Sequence, residues 1–167
     1  MPDLFLELTP DAPTQENVQR MTPKKGTNIK YVPSFVFRIE GVGGAQNAFA
    51  FAPQNPTGQD LVILEVIHYL KTKGLTAAAV LDVAVGATAT TTGDTIFDGI
   101  DISSGATNGA VVSSQILADT GTNGNEKPKV WNKPGGTNPF LTGKILVAEA
   151  ADYVGIITVI CAPLEGP

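Results

Sequence analysis

The sequence predicts an all-β protein: an antiparallel, jelly-roll-like β-sandwich over residues 35–167, preceded by an extended, proline-rich arm over residues 1–34. Three observations predict it. Charged residues make up only 16% of the chain, against roughly 25% in an ordinary soluble domain. Thr, Ala, Gly, Val and Ile dominate a chain with 18 Gly and 12 Pro, a mixture that favours short strands and tight turns over helices. From Phe35 onward, short apolar or alternating segments are separated almost everywhere by Gly, Asn, Asp or Pro, which is the punctuation of strands and turns.

The arm comes first in the chain. Pro2, Pro10, Pro13, Pro23 and Pro33 recur through residues 1–34, and each removes a backbone donor and restricts the residue before it to extended geometry. Thr14-Gln-Glu-Asn-Val-Gln-Arg can make a turn or two of helix capped by Thr14. The segment cannot build a core of its own, yet it carries Leu4, Phe5, Leu6, Leu8, Val18, Met21, Ile29, Tyr31 and Val32, more apolar anchors than a solvated tail needs. Two readings compete, a disordered terminus and an extended arm that orders on a neighbour or on its own domain; the apolar anchors favour the arm.

The strands follow in order. Phe35-Val-Phe-Arg-Ile-Glu alternates and stops at Gly41-Val-Gly-Gly. Ala48-Phe-Ala-Phe-Ala alternates before the breaker Pro53-Gln-Asn-Pro-Thr-Gly. Leu61 to Leu70 is apolar but for Glu65 and His68; its β-branched content favours a long strand, although periodicity alone leaves a helix open. Ala79 to Val85, Thr95 to Ile102, a segment near Val111 to Leu117, Lys129-Val-Trp, Phe140 to Val147 and Tyr153 to Cys161 complete the set. Eight or nine strands over roughly 130 residues is the spacing of a sandwich or jelly roll. Its core is expected from Phe37, Phe49, Phe51, Val62, Leu64, Val66, Val83, Ile145, Val147, Ile157 and Val159. Leu61 to Leu70 and Val154 to Ile160 are apolar on both faces, so they belong at the centre of a sheet or beneath another subunit.

Charge narrows the function classes. A formal net charge of −5 speaks against a nucleic-acid binder, whose phosphate contacts need concentrated basic surface. The sign is unevenly spread: five basic residues and no acid lie from Arg20 to Arg38, and six acids and no Lys or Arg from Gly74 to Glu126. A complementary neighbour or plain solvation accounts for either segment. The opening MPDLFLELTPD lacks the basic and apolar regions of a secretory signal, and no apolar run reaches the roughly 18 residues of a membrane span. No membrane partner is expected, and synthesis in a reducing cytoplasm is. Cys161 is the only cysteine; in its apolar run it reads as a buried, inert thiol, which excludes an internal disulfide.

The residues offer little chemistry. His68, the only histidine, lies in an apolar strand and reads as a satisfied core or interface residue, not the exposed base of a nucleophile. One His and one distant Cys are too few for zinc. Gly41-Val-Gly-Gly-Ala lacks the Lys and Ser/Thr of a phosphate loop. Asp94, Asp98 and Asp101 form an oxygen-rich stretch that suggests calcium, but they miss the spacing of a calcium loop, and Asp-Gly is ordinary turn chemistry. No catalytic residue, cofactor or metal is assigned. The sequence predicts a surface to be packed, not a site that turns over substrate.

Several stretches nonetheless carry a resemblance: Leu81-Asp-Val-Ala-Val-Gly-Ala-Thr-Ala-Thr-Thr-Thr-Gly-Asp, Ile96-Phe-Asp-Gly-Ile-Asp-Ile, Gly121-Thr-Asn-Gly, Phe140-Leu-Thr-Gly and Ala150-Ala-Asp-Tyr-Val-Gly-Ile-Ile-Thr-Val. Together they resemble the small jelly-roll-like decoration, or head-fibre, proteins of tailed-bacteriophage virions, over roughly residues 60–162; the arm lies outside the pattern. The resemblance implies a cement role on the capsid surface, with homotrimers or clusters clamping neighbouring copies of the major capsid protein. On that reading the arm residues Leu4, Phe5, Leu6 and Leu8 supply apolar anchors, and Arg20, Lys24, Lys25 and Lys30 meet acidic surface. The alternative is a receptor- or carbohydrate-binding module of a head or tail fibre, which an exposed aromatic cleft at Tyr31, Tyr69 or Trp131 would favour. A polysaccharide-active enzyme is a third reading, and a buried carboxylate pair would favour it.

Overall fold

A computed structural model describes residues 35–114 and 129–164 of the chain. Nine strands run through them and, among the described residues, no helix. Each expected strand segment holds one. They are β1 (Phe35–Val42), β2 (Phe49–Phe51), β3 (Leu61–Thr72), β4 (Val80–Gly86), β5 (Phe97–Asp101), β6 (Val111–Ser113), β7 (Lys129–Trp131), β8 (Phe140–Leu146) and β9 (Val154–Pro163). The ambiguous run at Leu61 is the longest strand, twelve residues. The arm residues Leu4, Phe5, Leu6, Leu8, Arg20, Lys24, Lys25 and Lys30, and the helical turn expected at Thr14, lie outside the described residues.

Two antiparallel sheets pack face to face. One has the order β1-β9-β3-β6 with β7 also on β3; the other has the order β2-β8-β4-β5. Successive strands mostly change sheet, which is the connectivity of a jelly roll. β3 and β9, the two runs apolar on both faces, sit side by side at the centre of the first sheet.

The core lies between the sheets and is filled by alternate residues: Leu81 and Val83 from β4, Leu141 and Ile145 from β8, Ile157, Val159 and Cys161 from β9. Burying each such side chain contributes about 1.5–3 kcal/mol. Trp131 is buried, its indole N–H donating to the Pro139 carbonyl at 2.9 Å and its ring meeting Phe37 edge-on with centroids 5.4 Å apart. The breaker at residues 53–58 is held by buried Asn55, whose amide donates to the Trp131 carbonyl at 2.8 Å while its oxygen accepts from Thr57 N at 2.8 Å.

Six of the eleven expected core residues, Phe51, Val66, Val83, Ile145, Ile157 and Val159, are buried, Phe37 packs against them half-buried, and Phe49 is half-buried outside that cluster. Val62, Leu64 and Val147 are corrections. In β3 the inward positions are Leu61 and Ile63, then Val66, His68 and Leu70. A bulge against β9 between Ile63 and Glu65 changes the parity, because one extra residue turns every later side chain to the other face. Val62 therefore points outward, and Leu64, the extra residue, is half exposed. Val147 lies one residue beyond β8, is 60% exposed and has φ 67°.

Candidate interaction surface

The outward side of the first sheet carries an apolar band. β9 alternates strictly, so Ile156 and Ile160 face away from the core while Ile157, Val159 and Cys161 are buried. Across the sheet, Val36 of β1 stands opposite Ile160 and Val42 opposite Val154. On the other side Tyr69 of β3 stands opposite Ile156, and Val111 of β6 opposite Tyr69. Val36, Val42 and Val111 are all more than half exposed, and Tyr69 is 42% exposed. No other described strand packs on this side. The centre is mainly apolar, interrupted by Thr158 of β9, and charges flank it, with Arg38 and Glu40 on β1 and Lys71 on β3. Glu65, also on this side, accepts a hydrogen bond from Ser113 Oγ. An apolar centre with a polar rim is the composition of a protein-binding surface.

Beneath the band lies a buried polar pair. His68 Nε2 meets Tyr153 Oη at 2.9 Å, the rings stacked within 19°. Both side chains are about 1% exposed. Desolvation holds the His68 pKa at about 4 and pushes the Tyr153 hydroxyl well above its usual value, so the histidine is a neutral imidazole. Nδ1 is buried with no hydrogen-bond partner, so His68 is a core residue, as expected, but only half satisfied. Gly155 makes the pair possible: a Cβ there would stand 2.1 Å from Tyr153 Oη and 2.7 Å from His68 Nε2. A neutral, sealed imidazole with its one bond spent on a phenol has neither the access nor the nucleophile for acid–base catalysis. Cys161 is likewise buried, and desolvation pushes its thiol up to about 12.

The acidic stretch does not converge. Asp82 Oδ1 accepts from Gly99 N at 2.8 Å; partial burial first, then the nearby charges of Asp98 and Asp94, raise its pKa. Asp101 turns away to accept from Ser103 N at 2.9 Å, an ordinary turn bond. Among the described residues no group of three or more His, Cys, Asp or Glu could hold a metal ion. The Gly41–Gly44 segment is the end of β1 and a turn, where Gly43 N donates to the Tyr153 carbonyl at 2.7 Å.

The aromatic residues are also dispersed. Trp131 is buried in the core and Tyr69 lies on the outward band; Tyr31 falls outside the described residues. Residue-type reasoning had not singled out Val36, Val42 or Val111, because each sits in a strand whose other face supplies the core. The usable signal was the pair of runs apolar on both faces.

No protein-family model and no curated protein matches the sequence. Among solved structures, the chain is similar to one described as "Cyanophage Pam1 capsid asymmetric unit", at 13% identity over 86% of this chain and 95% of that one, with a TM-score of 0.46.

Proposed function

We propose that this chain is a non-enzymatic structural protein of a tailed-bacteriophage virion, a decoration or cement protein that binds the capsid surface and stabilises the shell. The observation that carries the reading is the outward band of the first sheet. Its two central strands present Val62, Ile67, Tyr69, Val154, Ile156 and Ile160 on the face turned away from the core, broken only by Thr158, Glu65 and Lys71, where a solitary domain would be mostly polar. The turn and strand patterns between residues 60 and 162 supply the virion context by resemblance, and the jelly-roll connectivity agrees with it. The burial of Trp131 removes one of the three aromatics that a glycan-binding cleft would use.

In this reading the major capsid protein is the partner, and self-association, as a homotrimer, places several copies where shell subunits meet. The arm supplies further attachment through Leu4, Phe5, Leu6 and Leu8, with Arg20, Lys24, Lys25 and Lys30 on acidic surface. Many copies bridging subunits stabilise a pressurised shell because each buries apolar area at about 25 cal/mol per Å².

The test is co-sedimentation of the purified full chain with expanded capsids of the encoding phage that lack it. Saturable binding is expected, together with a higher capsid disruption temperature. Tyr69→Glu combined with Val111→Glu, two exposed changes that leave the core intact, is expected to weaken binding at least tenfold. Absence of binding overturns the proposal.

A further inference from the structure

β1 is the longest and most regular sheet edge among the described residues. The two sheets present β1, the β6 and β7 side of β3, β2 and β5 as edges. β2, β6 and β7 have three residues each. β2 is also interrupted by a register shift, and β5 pairs a strand that is irregular between Leu81 and Val83 and carries Gly99 at φ 73°. β1 is eight residues long and pairs β9 in unbroken register from Phe35 to Val42. It contains no proline and no bulge. A long, regular edge of this kind presents a row of backbone donors and acceptors to another strand.

The side chains say which strand fits. Outward, β1 carries Val36, Arg38, Glu40 and Val42 at alternate positions, all exposed. This order is self-complementary about Ile39. Turned antiparallel against itself, the strand sets Arg38 opposite Glu40 of a second copy, Glu40 opposite its Arg38, and Val36 opposite its Val42. On the inward side Ile39 meets its counterpart and Phe37 meets Gly41, the one position of the strand without a side chain. Against an arbitrary strand the same two charges would discourage pairing; against this one they are neutralised twice.

We propose that the β1 edge is a two-fold docking site for the β1 edge of a second copy of this chain, joining two sandwiches through one continuous sheet. The closed two-fold arrangement consumes both edges, so it ends at a pair instead of growing into a fibre. It also covers Phe35, Phe37 and Ile39, which the isolated edge leaves half-buried, and aligns the outward bands of the two copies on one side. The inference stands apart from shell binding and adds to a trimeric contact made elsewhere on the surface.

Register-specific cross-linking of the full chain tests it. Val36→Cys and Val42→Cys chains, mixed and mildly oxidised, are expected to form a heterodimeric disulfide. Neither variant alone forms one through this edge, because in this register identical positions lie about 20 Å apart. Buried Cys161 does not compete. Adding Arg38→Glu to both chains, or Glu40→Arg to both, places like charges opposite one another twice and is expected to lower the cross-linking yield at fixed concentration about tenfold. Both changes together restore it. Circular dichroism on each variant confirms the fold. The proposal is overturned if the mixed chains do not cross-link, if either cysteine variant cross-links alone as readily as the mixture, or if the charge reversals leave the yield unchanged. None of these outcomes bears on capsid co-sedimentation, so the two readings fail separately.

Discussion

His68 shows how one residue can make the fold acid-sensitive without taking part in any reaction. Its pKa is held at about 4, below its ordinary 6.5, because burial disfavours the imidazolium. Between pH 4 and 6.5 the unfolded chain binds a proton that the folded chain refuses, so stability rises with pH across that window. His68 contributes no pH dependence above it. The shift corresponds to about 3 kcal/mol between the ends of the window. Urea unfolding at pH 4.5 and at pH 7 should show the midpoint falling on acidification. In His68→Phe the fall across this window should largely vanish, even though the variant is less stable at pH 7 because the Tyr153 hydroxyl loses its partner.

At the scale of elements, the connection leaving β8 stores strain. Ala148 N donates to the Leu146 carbonyl at 2.8 Å, closing a three-residue turn on Val147 at φ 67°. A β-branched residue is among the least suited to that conformation, and at 60% exposure Val147 gains little burial in return. Val147→Gly is therefore expected to raise stability by about 1 kcal/mol, the relief of strain exceeding the entropy cost of glycine. Equilibrium denaturation checks this, and a loss of stability would mean that the valine side chain makes a contact the turn depends on. Gly155 is the opposite case within β9. A methyl group there collides with the His68–Tyr153 pair, and Gly155→Ala should lower stability by about 1–3 kcal/mol, the usual range for overpacking, in the same measurement.

For the whole molecule, the proposed function assigns attachment to residues 1–34 as well as to the sandwich. The strands begin at Phe35, so deleting residues 1–34 should leave the β-sheet circular dichroism and the unfolding midpoint close to those of the full chain. On the proposed function, capsid binding by that truncated chain should fall by orders of magnitude, since losing even three of the four apolar anchors Leu4, Phe5, Leu6 and Leu8 costs about 1.5–3 kcal/mol each. Changing Arg20, Lys24, Lys25 and Lys30 together to Gln should weaken binding less, and mainly at low salt, because exposed charges are screened. Unchanged affinity after truncation would leave the sandwich surface as the whole attachment site.

The sequence by itself determined the all-β class and where the strand segments lie, eight or nine of them with a helix still open at Leu61–Leu70, since alternation, β-branched content and turn residues act over a few neighbouring positions. It also marked β3 and β9 as belonging at the centre of a sheet or beneath another subunit, because both faces of each run are apolar; the fold places them at the centre. Tertiary structure alone decided the rest. A run apolar on both sides carries no parity signal, so only the bulge after Ile63 shows that Leu61 and Val66 share the core while Leu64 leaves it. The His68–Tyr153 pair joins residues 85 positions apart, and the open edge of β1 exists only because β9 returns to its other side. Pairing of distant strands is chosen by global packing, to which no local pattern has access.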